Sequence, residues 1–127
     1  MIRIYQTIRS NGAQQGDCFR CCLASLLDLR AYEVPHFYAG GENGGYTNAE
    51  EDRALNAWLK LRGLSYFETG FKSSLYQVLQ GMGHNSPDLA YILAGNTANG
   101  SAHSVVCRGN QVIHDPAHEI IADPVPY

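Results

Sequence analysis

The stretch that most constrains this chain is Gly16-Asp17-Cys18-Phe19-Arg20-Cys21-Cys22-Leu23-Ala24-Ser25-Leu26-Leu27. A polar, glycine-bearing segment ends in Asp17, and an apolar-periodic run begins at once with a cysteine. Aspartate is a favoured N-cap residue because its carboxylate accepts from the free N–H groups of the first helical turn. Phe19, Cys22, Leu23, Leu26 and Leu27 recur at helical spacing and are expected to form a core face. Cys18 is therefore expected in the first turn of a half-buried helix running to about Leu29. There the positive end of the helix dipole favours thiolate over thiol.

The 127 residues and 14.0 kDa fit a single domain spanning residues 1–127. Net charge is −3, and no basic run marks a nucleic-acid or membrane surface. No apolar run approaches the ~20 residues of a membrane span, and the first residues lack the apolar region of a signal peptide. Of the four cysteines, Cys18, Cys21 and Cys22 crowd one helix and Cys107 stands apart. That spacing does not make a disulfide framework, so a reduced, cytoplasmic protein is expected.

Residues 2–8 are strand-like. The proline in Val34-Pro35-His36-Phe37 breaks the helical pattern, and residues 39–47 are glycine-rich and loop-like. A second helix is expected over residues 49–62, capped by Asn48 and stopped by Gly63, with Leu55, Trp58, Leu59 and Leu61 facing the core. Residues 64–67 read as a short strand. Ser73 or Ser74 starts a third helix that should end near Gly81 and Gly83. Residues 89–94 read as a buried strand. Residues 104–108 and 111–115, around Gly109-Asn110, read as a β-hairpin. Helices early and strands late predict an α+β fold, with the cysteine helix packed on a small antiparallel sheet.

His103 opens the hairpin and Asp115 closes it. A cysteine nucleophile needs an imidazole to hold it as thiolate and to protonate the leaving group, and the imidazole needs a group to orient it. Cys18, His103 and Asp115 supply the three.

With these residues in place, the chain resembles the papain-like cysteine peptidases, in particular the bacteriocin-leader peptidases and short stand-alone papain-like proteins of phages and bacteria. The resemblance rests on the Gly16 to Leu27 stretch, Val34-Pro35-His36-Phe37, the helix around Leu55, His103-Ser104-Val105-Val106-Cys107-Arg108-Gly109 and Val112-Ile113-His114-Asp115-Pro116. It implies a papain-like fold, a Cys18–His103–Asp115 triad, a thioester intermediate, no cofactor and a peptide or protein substrate.

Two features depart from that pattern. Such enzymes carry a glutamine about six residues before the cysteine to help form the oxyanion hole. Gly12 stands there, leaving Gln6 and Gln15 as candidates. The hairpin register is the second. With a simple two-residue turn, Ser104 pairs with Asp115, and strand alternation turns Asp115 away from His103. A triad therefore requires an odd loop, a bulge or an Asp115 beyond the regular pairing; in the simple register His114 faces the site instead.

Other readings of the same residues are a catalytically silent papain-like binding module, a Cys18-x-x-Cys21 thiol–disulfide oxidoreductase, and a zinc module. No strand runs directly into Cys18, as a thioredoxin-like unit requires. No second ligand pair matches zinc spacing, so no metal site is expected. Cys21, Cys22 and Cys107 are expected to be structural.

Overall fold

A computed structural model describes residues 1–7, 17–38, 48–67, 74–96 and 102–117. The elements in chain order are α1 (Cys18–Leu27), a 3-10 turn (Ala31–Glu33), α2 (Asn48–Lys60), α3 (Leu75–Asn85), β1 (Ala90–Asn96), β2 (Ala102–Arg108) and β3 (Gln111–His114). The three strands form one antiparallel sheet with β2 in the centre, so the α+β expectation holds. Among the described residues no helix is long and apolar enough to cross a membrane.

Helix α1 is more deeply embedded than its leucine pattern predicts. Cys21, Cys22, Leu23, Ala24 and Ser25 are buried, whereas Phe19, Leu26 and Leu27 are only half-buried. The small residues let neighbouring segments approach the helix axis closely. Leu23 and Ala24 join Val34, Leu55 and Leu59 in the main apolar cluster. Ser25 accepts the Ile4 N–H on its hydroxyl at 3.0 Å. The helix ends two residues earlier than expected. Asp28 takes the left-handed conformation (φ 56°), and Leu29 N–H returns to Ala24 O at 2.9 Å.

Asp17 occupies the N-cap position, but its side chain caps nothing. This corrects the capping expectation. The carboxylate is instead fully buried, 3.4 Å from the Thr7 hydroxyl that donates to it and 3.8 Å from Arg20 Nη1. Arg20 Nε donates in turn to Ala31 O and Val34 O, each at 2.8 Å, which ties the start of α1 to the chain that follows it.

Helix α2 buries Leu55 and Leu59 and stops as expected at Gly63 (φ 73°), with Leu64 N–H returning to Leu59 O at 3.0 Å. Leu61 falls in that closing turn and is 89% exposed, so it is not a core residue. Residues 64–67 pair with no described strand, and the expected short strand is absent among the described residues. Helix α3 starts at a Ser74 capping box with Gln77. It runs through Gly81 and Gly83 rather than ending there. Gly83 is needed for packing, since a Cβ on it would lie 2.6 Å from Asn110 Cβ in the hairpin turn. Strand β1 begins at Ala90, one residue late, and is half-buried to exposed rather than buried.

Residues 1–7 form no helix or strand and lie outside the sheet, hydrogen-bonded along α1 and the end of β3. The glycine-rich stretch at 39–47 and the tail beyond 117 fall outside the described residues.

Candidate active site

Strand β2 carries the histidine. Alternation puts His103, Val105 and Cys107 on one face and Ser104 and Val106 on the other. Positions 104–107 are all buried, so both faces of the strand are covered.

The turn at Gly109-Asn110 has two residues, and Arg108 pairs with Gln111 and Cys107 with Val112. The register then shifts by one, and Val106 pairs with His114. Ile113 is the extra residue of this bulge. Its effect is to put His114 on the Val106 face and to return Asp115 to the face of Val105 and His103. The bulge is one of the devices the sequence required for a triad, and the simple register is excluded.

The result is direct contact. His103 Nε2 lies 2.7 Å from Asp115 Oδ1. Asp115 Oδ1 also accepts the Ala117 N–H at 2.9 Å, which fixes the carboxylate across Pro116. A carboxylate only accepts, so Nε2 carries the hydrogen, and Nδ1 is the ring nitrogen left for the Cys18 sulfur. The His103 side chain is hydrogen-bonded to Cys18. Hydrogen bonds to Asp115 and then to Cys18 outweigh burial and push the His103 pKa up to about 9. Burial acts to raise the Cys18 thiol. The hydrogen bond from His103, the N–H and hydroxyl of Ser104 and the charge of His103 together pull it below the ordinary value. The pair thus favours thiolate and imidazolium.

Cys18 is alone in this among the cysteines, all four of which are free. Burial pushes Cys21 and Cys107 up to about 12, and Asp17 adds to the effect on Cys21. Burial raises Cys22 well above its ordinary value. These three are inert core thiols, and Cys18 is only partly buried.

Ser104 was not legible as a site residue. By alternation it points away from His103, and only the approach of the α1 N-terminus brings Cys18 to its N–H and hydroxyl. Gln6 is half-buried, and its N–H donates to Pro116 O at 2.8 Å. The next residue, Thr7, donates to Asp17, the residue before Cys18. The backbone at Gln6 therefore bridges the Asp115 side of the site to the Cys18 side. Gln15 lies outside the described residues.

His114 turns to the other face. Its Nε2 donates to Ile4 O at 2.7 Å, its ring meets Tyr5 edge-on at 5.1 Å between centroids, and it is fully buried. Among the described residues no three His, Cys, Asp or Glu side chains gather so as to hold a metal ion.

No family model, no curated protein and no solved structure matches this chain. The chemistry of the site therefore rests on its own geometry: a partly buried thiol at a helix N-terminus, an imidazole bonded to it, and a carboxylate behind the imidazole.

Proposed function

We propose that this protein is a papain-like cysteine hydrolase that cleaves an amide bond of a peptide or protein substrate, of peptidase, isopeptidase or amidase type. The observation that carries the reading is the hydrogen-bonded series Cys18–His103–Asp115, with Cys18 the one thiol whose pKa is depressed. The Cys18 thiolate attacks the carbonyl carbon, and the oxygen takes the negative charge beside the Cys18 N–H at the helix N-terminus. The side-chain amide of Gln6 or Gln15 is the second donor in this scheme. Imidazolium His103 gives its proton to the leaving amine, the C–N bond breaks and a thioester remains. His103, now neutral, takes a proton from water as the water attacks the thioester. The acid leaves, and thiolate and imidazolium return.

Asp115 holds the imidazole in the required tautomer through Nε2–H. The four unpaired cysteines fit a reducing, cytoplasmic setting. The Cys18-x-x-Cys21 redox reading fits less well, because Cys21 is completely buried and its thiol is pushed up to about 12. A zinc role finds no gathered ligand set among the described residues.

The test is covalent. An epoxysuccinyl peptide, an electrophile for thiolate–imidazolium pairs, is incubated with the protein, and the adduct is mapped by mass spectrometry. One adduct on Cys18, absent in Cys18→Ser and in His103→Ala, supports the reading. Absence of an adduct, or spread over several cysteines, returns the chain to the silent binding module.

A further inference from the structure

The further inference concerns the regulation of Cys18 and rests on the hydrolase reading above. Asp17 takes no part in that scheme, yet its carboxylate is completely buried and caps nothing. A carboxylate leaves water only at a cost, which its contacts with Arg20 and Thr7 offset in part. It is also hydrogen-bonded to the Cys21 thiol, and the Cys21 N–H donates to the Asp17 carbonyl at 3.0 Å. Cys18 and Cys21 share the first turn of α1. One turn of chain thus holds a buried carboxylate, a partly buried reactive thiol and a buried thiol.

Residues at i and i+3 of an α-helix have Cα atoms about 5 Å apart, within the roughly 4.4–6.8 Å that a disulfide spans. Their Cβ atoms start about 5–6 Å apart, so the turn has to tighten for a bond to close. The first turn is free to do so, because most of its N–H groups stand outside the helical ladder. A bond held in a tightened turn is strained and readily reduced.

The two sulfurs have different roles. Cys18 reaches solvent and is held toward thiolate, the form that hydroperoxides oxidise. Cys21 is closed to solvent, which excludes exchange with a disulfide of another molecule but not attack on its own neighbour. Burial and then Asp17 keep Cys21 a thiol, so its attack needs a group to take the proton, and Asp17 is already bonded to it. Cys22 lies at i+4, but burial and neighbouring charges act on its thiol rather than a hydrogen bond.

We propose that Cys18 and Cys21 form a reversible disulfide when a hydroperoxide oxidises Cys18, with Asp17 as the base for Cys21. The bond switches the hydrolase off and spares its nucleophile from irreversible oxidation. With hydrogen peroxide, the Cys18 thiolate attacks one oxygen, the O–O bond breaks and the sulfur loses two electrons. Imidazolium His103 gives its proton to the departing hydroxide, which leaves as water, and Cys18 becomes a sulfenic acid. The Cys21 sulfur then attacks the Cys18 sulfur as its proton passes to Asp17. The S–O bond breaks, the released hydroxide takes up that proton, and a second water departs. A dithiol returns both cysteines to thiols by exchange and is itself oxidised to a disulfide.

The test uses the full chain. Reduced protein is treated with hydrogen peroxide, quenched with N-ethylmaleimide, digested with trypsin and mapped by mass spectrometry. Cleavage after Arg20 separates the two cysteines. The bond therefore links the peptide ending at Arg20 to the peptide beginning at Cys21, and fragmentation assigns it to Cys21 or Cys22. Wild type is expected to give a Cys18–Cys21 cross-link, to lose epoxysuccinyl labelling at Cys18 and to recover it after dithiothreitol. Cys21→Ser should give no cross-link and carry Cys18 on to sulfinic acid, which dithiothreitol does not reverse. Asp17→Asn should slow cross-linking on the order of 10²-fold and leave epoxysuccinyl labelling of the reduced protein unchanged. Circular dichroism of each variant checks the fold. Wild type that is labelled at Cys18 but forms no cross-link, a cross-link assigned to Cys22, or cross-linking at the wild-type rate in folded Asp17→Asn overturns the proposal and leaves the hydrolase reading standing. Reduced wild type with no label at Cys18 contradicts the hydrolase reading itself, and the inference falls with it.

Discussion

His103 and Asp115 meet at 2.7 Å only because the hairpin that joins them carries one extra residue. Without Ile113 as a bulge, Asp115 would face away from the imidazole and His114 would take its place. Asp115→Asn keeps the shape and removes the charge. The variant is expected to lower the His103 pKa from its raised value of about 9, so the alkaline limb of the pH–rate profile moves to lower pH. Turnover of p-nitrophenyl acetate near pH 7.5 should fall by about 10²-fold, the lower range for general acid–base catalysis. A profile identical to wild type would remove Asp115 from the mechanism.

Ser104 reaches the Cys18 sulfur through its N–H and its hydroxyl. Ser104→Ala deletes only the second donor. Hydrogen bonds to charged groups contribute about 1.5–3 kcal/mol, so alkylation of Cys18 at neutral pH should slow about tenfold and its midpoint should move to higher pH. His103→Ala should have the larger effect. An unshifted midpoint in Ser104→Ala would leave His103 and the Ser104 N–H as the stabilisers of the thiolate.

Stability should depend on pH through His114. Burial lowers its pKa below 6.5. Its Nε2–H is given to Ile4 O, and its buried Nδ1 has no hydrogen-bond partner among the described residues. Below pH 6.5 the unfolded chain binds a proton that the folded chain resists, so stability falls with acidification. His103 has the opposite sign. Its contribution is complete below 6.5 and is lost as pH rises through about 9. The lowered Cys18 thiol gains over that same rise, so the two offset. His114→Gln retains a side-chain N–H for Ile4 O and removes the titration. Urea midpoints between about pH 6.5 and 5.5 should fall in wild type and stay level in His114→Gln. Equal slopes would contradict this assignment.

Two glycines should respond in opposite directions to alanine. Gly109 sits at φ 56°, and a Cβ there would lie 2.4 Å from Pro87 O, a backbone atom. Gly109→Ala should cost about 1–3 kcal/mol. Gly81 lies inside α3, and its Cβ position meets no described atom within 4 Å. Gly81→Ala should stabilise by about 0.5–1 kcal/mol. Urea denaturation of both variants distinguishes a helix that runs through Gly81 from one that ends there.

The sequence made the placement of Cys18 legible because helical periodicity and a cysteine start coincide in one short stretch. The hairpin was legible from alternation around Gly109-Asn110, and the need for an odd residue followed from strand geometry alone. Which residue bulges was not legible. That choice depends on His114, whose burial against Ile4 O joins positions far apart in the chain. The same holds for Asp17. Its residue type signals a helix cap, but long-range contacts to Thr7 and Arg20 take its carboxylate elsewhere. The core face of α1 was legible from spacing at Cys22 and Leu23, which are buried, and at Phe19 and Leu27, which pack half-buried against the main cluster, whereas the burial of Cys21, Ala24 and Ser25 was not, because it depends on neighbours that press on the helix's small residues. Ser104 escaped notice because its role depends on where the helix N-terminus docks, which no local pattern encodes.

The central claim is that Cys18 and His103 form a thiolate–imidazolium pair. The direct measurement is the pH dependence of iodoacetamide alkylation at each cysteine, followed by mass spectrometry, in wild type and His103→Ala. The geometry predicts selective labelling of Cys18 well below pH 8.5, the ordinary value of a free thiol, with that low-pH labelling lost in the variant. Slow labelling shared among the cysteines and indifferent to His103 would contradict the pair and the hydrolase reading built on it.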